Sequence, residues 1–445
     1  MGGLPEAKIA ILRTMVEQAP DRVVSDLRGA LAQAGGDSAL LDVRLLVETE
    51  ARDRQLRNAV LAPIVPLCVG TGQTERLTFP ARALALVWRG LRDQGTREVA
   101  RAAALFEEFK VEESSPEPFD VLARRAARGL RERNHPSFEA AADLVEAARP
   151  DGARLFAECF QMAPVVRTAV SRLPSWIQRI TEEDKAVARI AYKDAVAIAE
   201  DAGPRFFEML AAHLPQPWMV LRLISAVMDR PPESYLAGSE LSGFGERVLD
   251  GIDACLQRLD RFDPEGGQAA VREAAAAVES VTAQVAEMEG NVELSKQGLW
   301  GARLAKQKTA LSRGVEARLR EMDKAVKATL PTTSRRIGRM TRETARLSEP
   351  PEPKAMERAK RLLAFAQDIR GPSAYGGFAS AHAEAMKDVC AHLESFVDDA
   401  IDHLKTGDAD DPAAARALVQ AAAELTLLAV DRQAADTIRR RLAAV

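Results

Sequence analysis

The densest run of side chains able to hold a metal ion or move a proton lies within residues 378–404: His382, Glu384, Asp388, Cys390, His392, Glu394, Asp398, Asp399, Asp402 and His403. Carboxylate and imidazole groups four residues apart share one face of a helix, and Asp388 with His392 and Asp399 with His403 both have that spacing. The two pairs begin eleven residues apart, which keeps them on one stripe but separates them by about 16 Å along the axis. One ion cannot span that gap. Di-iron bundles need a pair of Glu-x-x-His motifs on separate helices, and no such pair occurs. The stripe therefore reads as a solvated acidic face. A metal-dependent bundle enzyme ranks only third among the functions considered, and no metal ligand, cofactor or catalytic residue is assigned.

Other catalytic patterns are incomplete. Gly70-Thr71-Gly72-Gln73-Thr74-Glu75 resembles part of a phosphate loop but lacks the following Gly-Lys-Ser/Thr, so it is read as a plain loop. Gly238-Ser239 and Ser242-Gly243 do not form the Gly-x-Ser-x-Gly of a nucleophile elbow. Cys68, Cys159, Cys255 and Cys390 stand too far apart for zinc or redox motifs, and predict buried thiols in a reducing compartment. His135 and His213 fall at helix boundaries beside proline and predict structural capping. Trp88, Trp176, Trp218 and Trp300 sit in apolar runs and predict core positions.

A second concentration of chemistry is electrostatic. Between Lys296 and Arg346 the chain holds fourteen Lys and Arg against four acidic residues, an excess of ten; with a total of −4, the remainder carries −14. That asymmetry suits either an anionic partner or the protein's own acidic parts, as through Glu316 with Arg320 and Asp323 with Lys327. The candidate partner-binding residues are Lys306, Arg313, Arg335, Arg336, Arg339, Arg342 and Arg346. A protein partner fits best. An anionic membrane surface is the next candidate, with Leu299 and Trp300 available to insert, although the apolar stripe is narrow and poor in aromatics. Nucleic acid is the other alternative, through an Arg-lined helix at 334–347 preceded by the capping residues Thr332-Thr333-Ser334. Aromatic interleaving is missing from it.

These residues need elements to position them. Val271, Ala274, Val278, Val281, Val285, Met288, Val292, Ser295 and Leu299 recur at alternating spacings of three and four, the seam by which helices pack side by side. The seam, defined by Val271, Val278, Val285, Val292 and Leu299, also allows pairing with a second copy. Its phase passes through Glu289-Gly290-Asn291, which predicts one bent helix rather than a hairpin there. An unbroken helix over 268–330 would be about 95 Å long. Beyond Leu299 the seam slips in register and continues through Leu304, Leu311, Val315, Leu319, Met322 and Val326, before Pro331 ends it.

The whole chain of 445 residues has only 5% aromatic residues, and its β-branched residues scatter at helical spacing, so an all-α fold is expected. Residues 1–235 read as an irregular, solenoid-like helical array, 236–348 as the long, coiled-coil-like helical segment with its basic run, and 349–445 as a helical bundle. No secretory pattern opens the chain and no apolar stretch reaches about eighteen residues, so a cytoplasmic protein is expected, with a peripheral place at a membrane as the variant. The function expected is that of a non-enzymatic adaptor, scaffold or tether.

Overall fold

The computed structural model describes residues 5–34, 40–69, 76–108, 117–199, 201–337 and 340–445, leaving aside the side chains of 108, 335–337 and 340–342. Among them are twenty α-helices and two short two-stranded ribbons, so the fold is all-α. The chain divides into two compact units, Met1–Asp229 and Arg230–Val445.

The first unit is an array of short amphipathic helices: α1 (Glu6–Gln18), α2 (Asp21–Gln33), α3 (Leu41–Val60), α4 (Ala81–Gln94), α5 (Thr96–Glu108), α6 (Glu117–Glu132), α7 (Pro136–Ala148), α8 (Gly152–Gln178), α9 (Glu182–Val196), α10 (Ala202–Ala212) and α11 (Val220–Met228). Between α3 and α4, β1 (Cys68–Val69) pairs in parallel with β2 (Phe79–Pro80). Helix α8 packs against α6, α7, α9 and α10 and contributes Phe156, Phe160, Met162 and Val166 to the core, all fully buried. Local chemistry sets the helix starts. The His135 ring Nδ1 accepts from the Ser137 N–H and caps α7, as expected, and Thr181 with Asp184 forms a capping box on α9. Trp88, Trp176 and Trp300 are buried, whereas Trp218 is half-buried.

The second unit holds α12 (Glu233–Ala237), α13 (Ser242–Asp260), α14 (Gly267–Asn291), α15 (Leu299–Thr329), β3 (Thr332–Ile337), β4 (Met340–Ala345), α16 (Pro353–Asp368), α17 (Ser373–Gly376), α18 (Ala379–Thr406), α19 (Pro412–Ala429) and α20 (Arg432–Ala443). Helices α13 and α16 each pack against both α14 and α15, while α18 and α19 extend the packing beyond α15 and α16. Val271, Val278, Val285 and Val292 are all buried in this bundle, as are Leu304, Leu311, Val315, Leu319, Met322 and Val326. The same chain therefore covers the seam that would otherwise be open to a second copy.

Two expectations fail here, each for a physical reason. The long helix is not continuous, because α14 ends at Asn291 and α15 begins at Leu299. Glu293 exchanges backbone hydrogen bonds with the 231–233 segment, donating to Pro231 at 3.1 Å and accepting from Glu233 at 3.0 Å. The Glu233 carboxylate, 3% exposed, then accepts from Trp300 N–H at 2.7 Å, Ser295 N–H at 3.0 Å and Gly301 N–H at 3.3 Å. An anion at the start of α15 meets the unpaired N–H groups and the positive end of the helix dipole. Gly298 and Gly301 permit this approach, since a Cβ on Gly298 would land on the Glu233 carboxylate and one on Gly301 on the Ser295 carbonyl. The break shifts the phase, so Leu299 is 84% exposed and Trp300 is buried in its place.

The second failure concerns the basic helix expected at 334–347. The segment is an antiparallel ribbon instead, with Thr332 opposite Ala345, Ser334 opposite Glu343, Arg335 opposite Arg342, Arg336 opposite Thr341 and Ile337 opposite Met340. Threonines at 332, 333, 341 and 344 together with Ile337 favour the extended backbone. The Arg346 N–H donates to the Pro331 carbonyl at 2.9 Å and closes the base of the ribbon. At the carboxy terminus α19 ends at Val430, and Asp431 caps α20 through the Ala434 N–H at 2.8 Å.

Candidate functional site: the basic face of α15 and its ribbon

Intramolecular partners answer part of the basic run. The Arg303 guanidinium lies 2.5 Å from Asp253, 2.5 Å from Asp250 and 3.3 Å from Glu246 on α13, and hydrogen bonding to Asp253 raises its pKa further. Lys308 pairs with Glu289 at 2.7 Å, Lys327 with Asp323 at 2.8 Å as expected, and Arg346 with Glu349 at 3.4 Å. Arg318 binds Glu321 at 2.9 Å and the Asp260 carbonyl at 3.1 Å. The pair expected between Glu316 and Arg320 is not among the ion pairs of the described residues.

The others stand in solvent. Lys306, Arg313, Arg320 and Lys324 are exposed and have no hydrogen-bond or ionic partner among the described residues. Spacings of seven carry Lys306, Arg313, Arg320 and Lys327 along one line of the helix, and Lys324 returns to the angle of Lys306. The five cations lie within about 60° of arc over about 30 Å of axis. From 305 to 328 every fully exposed residue of α15 is Lys, Arg, Ala or Thr: Ala305, Lys306, Thr309, Ala310, Arg313, Arg320, Lys324, Lys327 and Ala328. No carboxylate is among these exposed residues, the half-buried Glu316 and Asp323 lie at one border of the face, and the small residues between the cations leave it low and flat. Apolar residues face inward because the bundle needs them. The exposed line is therefore free to be basic.

The ribbon follows α15 directly. Its register makes Arg335 the partner of Arg342. Arg336 stands opposite Thr341, and Arg339 lies outside the described residues. Two bonds hold the ribbon's base against α18: the Ala345 N–H donates to Asp399 Oδ2 at 3.1 Å, and His392 Nε2 meets the Leu330 carbonyl at 3.0 Å. Burial lowers the His392 pKa against the opposing effect of the Leu330 bond.

Those contacts dismantle the stripe of metal-ligand types. His392 and Asp399 serve backbone groups, His382 Nε2 meets the Ala366 carbonyl at 2.7 Å inside the bundle, and His403 is half-buried. A cleft of about 300 Å³ remains between ribbon and helix, lined by Lys327, Glu343, Asp388, His392 and Asp399 among others. Among the described residues no three His, Cys, Asp or Glu side chains converge to hold a metal ion. No helix among them is long and apolar enough to cross a membrane. Trp300 is in the core, so the insertion imagined for it beside Leu299 has only Leu299 left.

The sequence named Lys306 and Arg313 but missed Arg320 and Lys324 as members of the same face; the spacing of seven would have found Arg320. The ribbon was legible in its threonines, which favour extended backbone. No protein-family model matches this chain, and no curated protein or solved structure matches it either.

Proposed function

We propose that the protein is a non-enzymatic helical adaptor or tether that binds an acidic protein surface through the basic face of α15, with the adjoining ribbon as a second contact. The observation that supports this reading is the row of exposed, unpartnered Lys306, Arg313, Arg320 and Lys324 on a helix whose apolar side is engaged in the bundle. A row of this kind speeds encounter and selects an oppositely charged partner more than it adds raw affinity. Binding is therefore salt-sensitive. The test compares proteins captured by the full chain with those captured by the K306E/R313E/R320E variant. Partners held at low salt and lost from the variant support the proposal, and an unchanged set sinks it.

A nucleic-acid reading has one observation of its own. Two-stranded ribbons fit the major groove of a duplex, and this ribbon carries arginine at 335, 336 and 342. It requires a steep fall in affinity for a duplex of about 30 base pairs as salt rises, with a log–log slope set by the phosphates contacted. Absence of any mobility shift at low salt ends it. Vesicles containing phosphatidylserine separate both readings from binding at an anionic membrane, which would order by lipid charge.

A further inference from the structure

The first unit contains a cleft of about 690 Å³ between the α1–α2 turn, α3 and the start of α4. Its walls are polar and strongly built. Arg54, 9% exposed in its side chain, donates to Asp21 at 2.8 Å, to Glu50 at 2.7 Å and to the Val16, Glu17 and Ala19 carbonyls that end α1. Asp53 accepts from the Trp88 ring N–H at 2.9 Å and from Arg92 at 3.0 Å. Asp21, Glu50 and Asp53 are thus each matched to an arginine, which leaves Glu17 as the one lining carboxylate without an ionic partner among the described residues.

Three cationic features remain. Arg57 is 7% exposed in its side chain and bonds Asp21 through Nη2 and Asn58 through Nε and Nη2, yet its Nη1 has no acceptor among the described residues. Arg82 and Arg89 line the cleft, are exposed and have no hydrogen-bond or ionic partner among the described residues. Helix α4 begins after Pro80 with no side-chain cap, which leaves its first-turn N–H groups and positive dipole end without a side-chain acceptor, and its first residues, Ala81 and Arg82, line this cleft. Arg57 lines the same cleft as Ala81 and Arg82 at the start of α4, and so does Cys68, the register partner of Phe79 two residues before α4. Ala81 and Ala85 keep the α4 wall low enough to leave room.

We propose that this cleft binds a small phosphate-bearing molecule, its anion held by Arg57 Nη1, the uncapped start of α4, and Arg82 and Arg89 at the mouth. Uncapped helix starts and arginine forks are the two devices by which proteins take phosphate, and this cleft supplies both around one buried guanidinium. The volume suits a metabolite-sized ligand rather than a polymer. This site is independent of the α15 face.

The probe is inorganic pyrophosphate, titrated calorimetrically into the full chain at constant ionic strength, with the R82A/R89A variant and the K306E/R313E/R320E variant alongside. Arg82 and Arg89 are exposed and unpaired, so their removal leaves the fold intact, which an unchanged unfolding midpoint verifies. Saturable one-to-one binding that weakens about tenfold or more in R82A/R89A, and survives the α15 reversal, supports the site. No saturable heat with the wild-type protein overturns it. So does binding that R82A/R89A leaves unchanged, or binding that only the α15 reversal abolishes.

Discussion

Cations are placed in opposite ways at Arg54 and Arg205 in the first unit and on α15 in the second. In the first, Arg54 and Arg205 are buried and ion-paired: Arg205 lies 2.7 Å from Glu158 and 2.7 Å from Asp201, with its side chain only 8% exposed, although its Nε has no acceptor among the described residues. In the second, Lys306, Arg313 and Arg320 stand in solvent with nothing opposite them among the described residues. Counting charges along the sequence treats these residues alike. What separates them is the partner, because a buried guanidinium must be neutralised and hydrogen-bonded, whereas an exposed one is solvated at no structural cost. Arg303 shows that the division is not strictly one of units, since it lies in the basic run yet faces Asp250 and Asp253.

Removing a partnered charge is expected to have the largest effect. Glu233→Ala strips the acceptor from three backbone N–H groups at the buried start of α15 and should cost about 4 kcal/mol, read as a shift of the denaturant midpoint. A loss below about 1 kcal/mol would mean that water replaces the carboxylate and that the break at 292–298 has another cause. Next comes Arg205→Met, which leaves Glu158, 10% exposed, with only the more exposed Arg154 at 3.0 Å. The expected loss is about 3 kcal/mol, measured by the same unfolding curves. Equal stability would show that this buried pair contributes nothing that apolar packing cannot.

Two histidines, one in each unit, sharpen the comparison through pH. Burial lowers the pKa of His213 and of His392 in the folded state. Their contribution to stability is therefore complete above the unfolded imidazole value of about 6.5 and is lost as pH falls through it toward the lower folded value. The unfolding midpoint should drop across that window, and His213→Gln and His392→Gln should each flatten part of the drop. A profile that stays steep in both variants would assign it to carboxylates instead. The smallest effect on stability belongs to the solvent-facing cations: K306E/R313E/R320E should move it by no more than about 0.5 kcal/mol while removing the salt-sensitive binding. A larger destabilisation would place those side chains in the fold rather than on a surface kept for a partner.

The helical class, the buried register of Val271 through Met288 and the second register from Leu304 to Val326 were all readable in the sequence, because periodicity is local and each apolar residue reports the face it occupies. The interruption at 292–298 was not readable. It depends on Glu233, which lies 67 residues before the Trp300 N–H that it caps, and nothing in the phase of the valines announces so distant a carboxylate. The ribbon lies between these cases, since its threonines favoured strands but its arginines read equally well on a helix, and the contacts of Asp399 with Ala345 and of His392 with Leu330 are long-range. Composition and periodicity suffice for an all-α chain with an uneven, basic stretch. Which of those cations already have a carboxylate follows from the folded packing, because pairing depends on which helices become neighbours, and spacing along one helix carries no information about the charges on another.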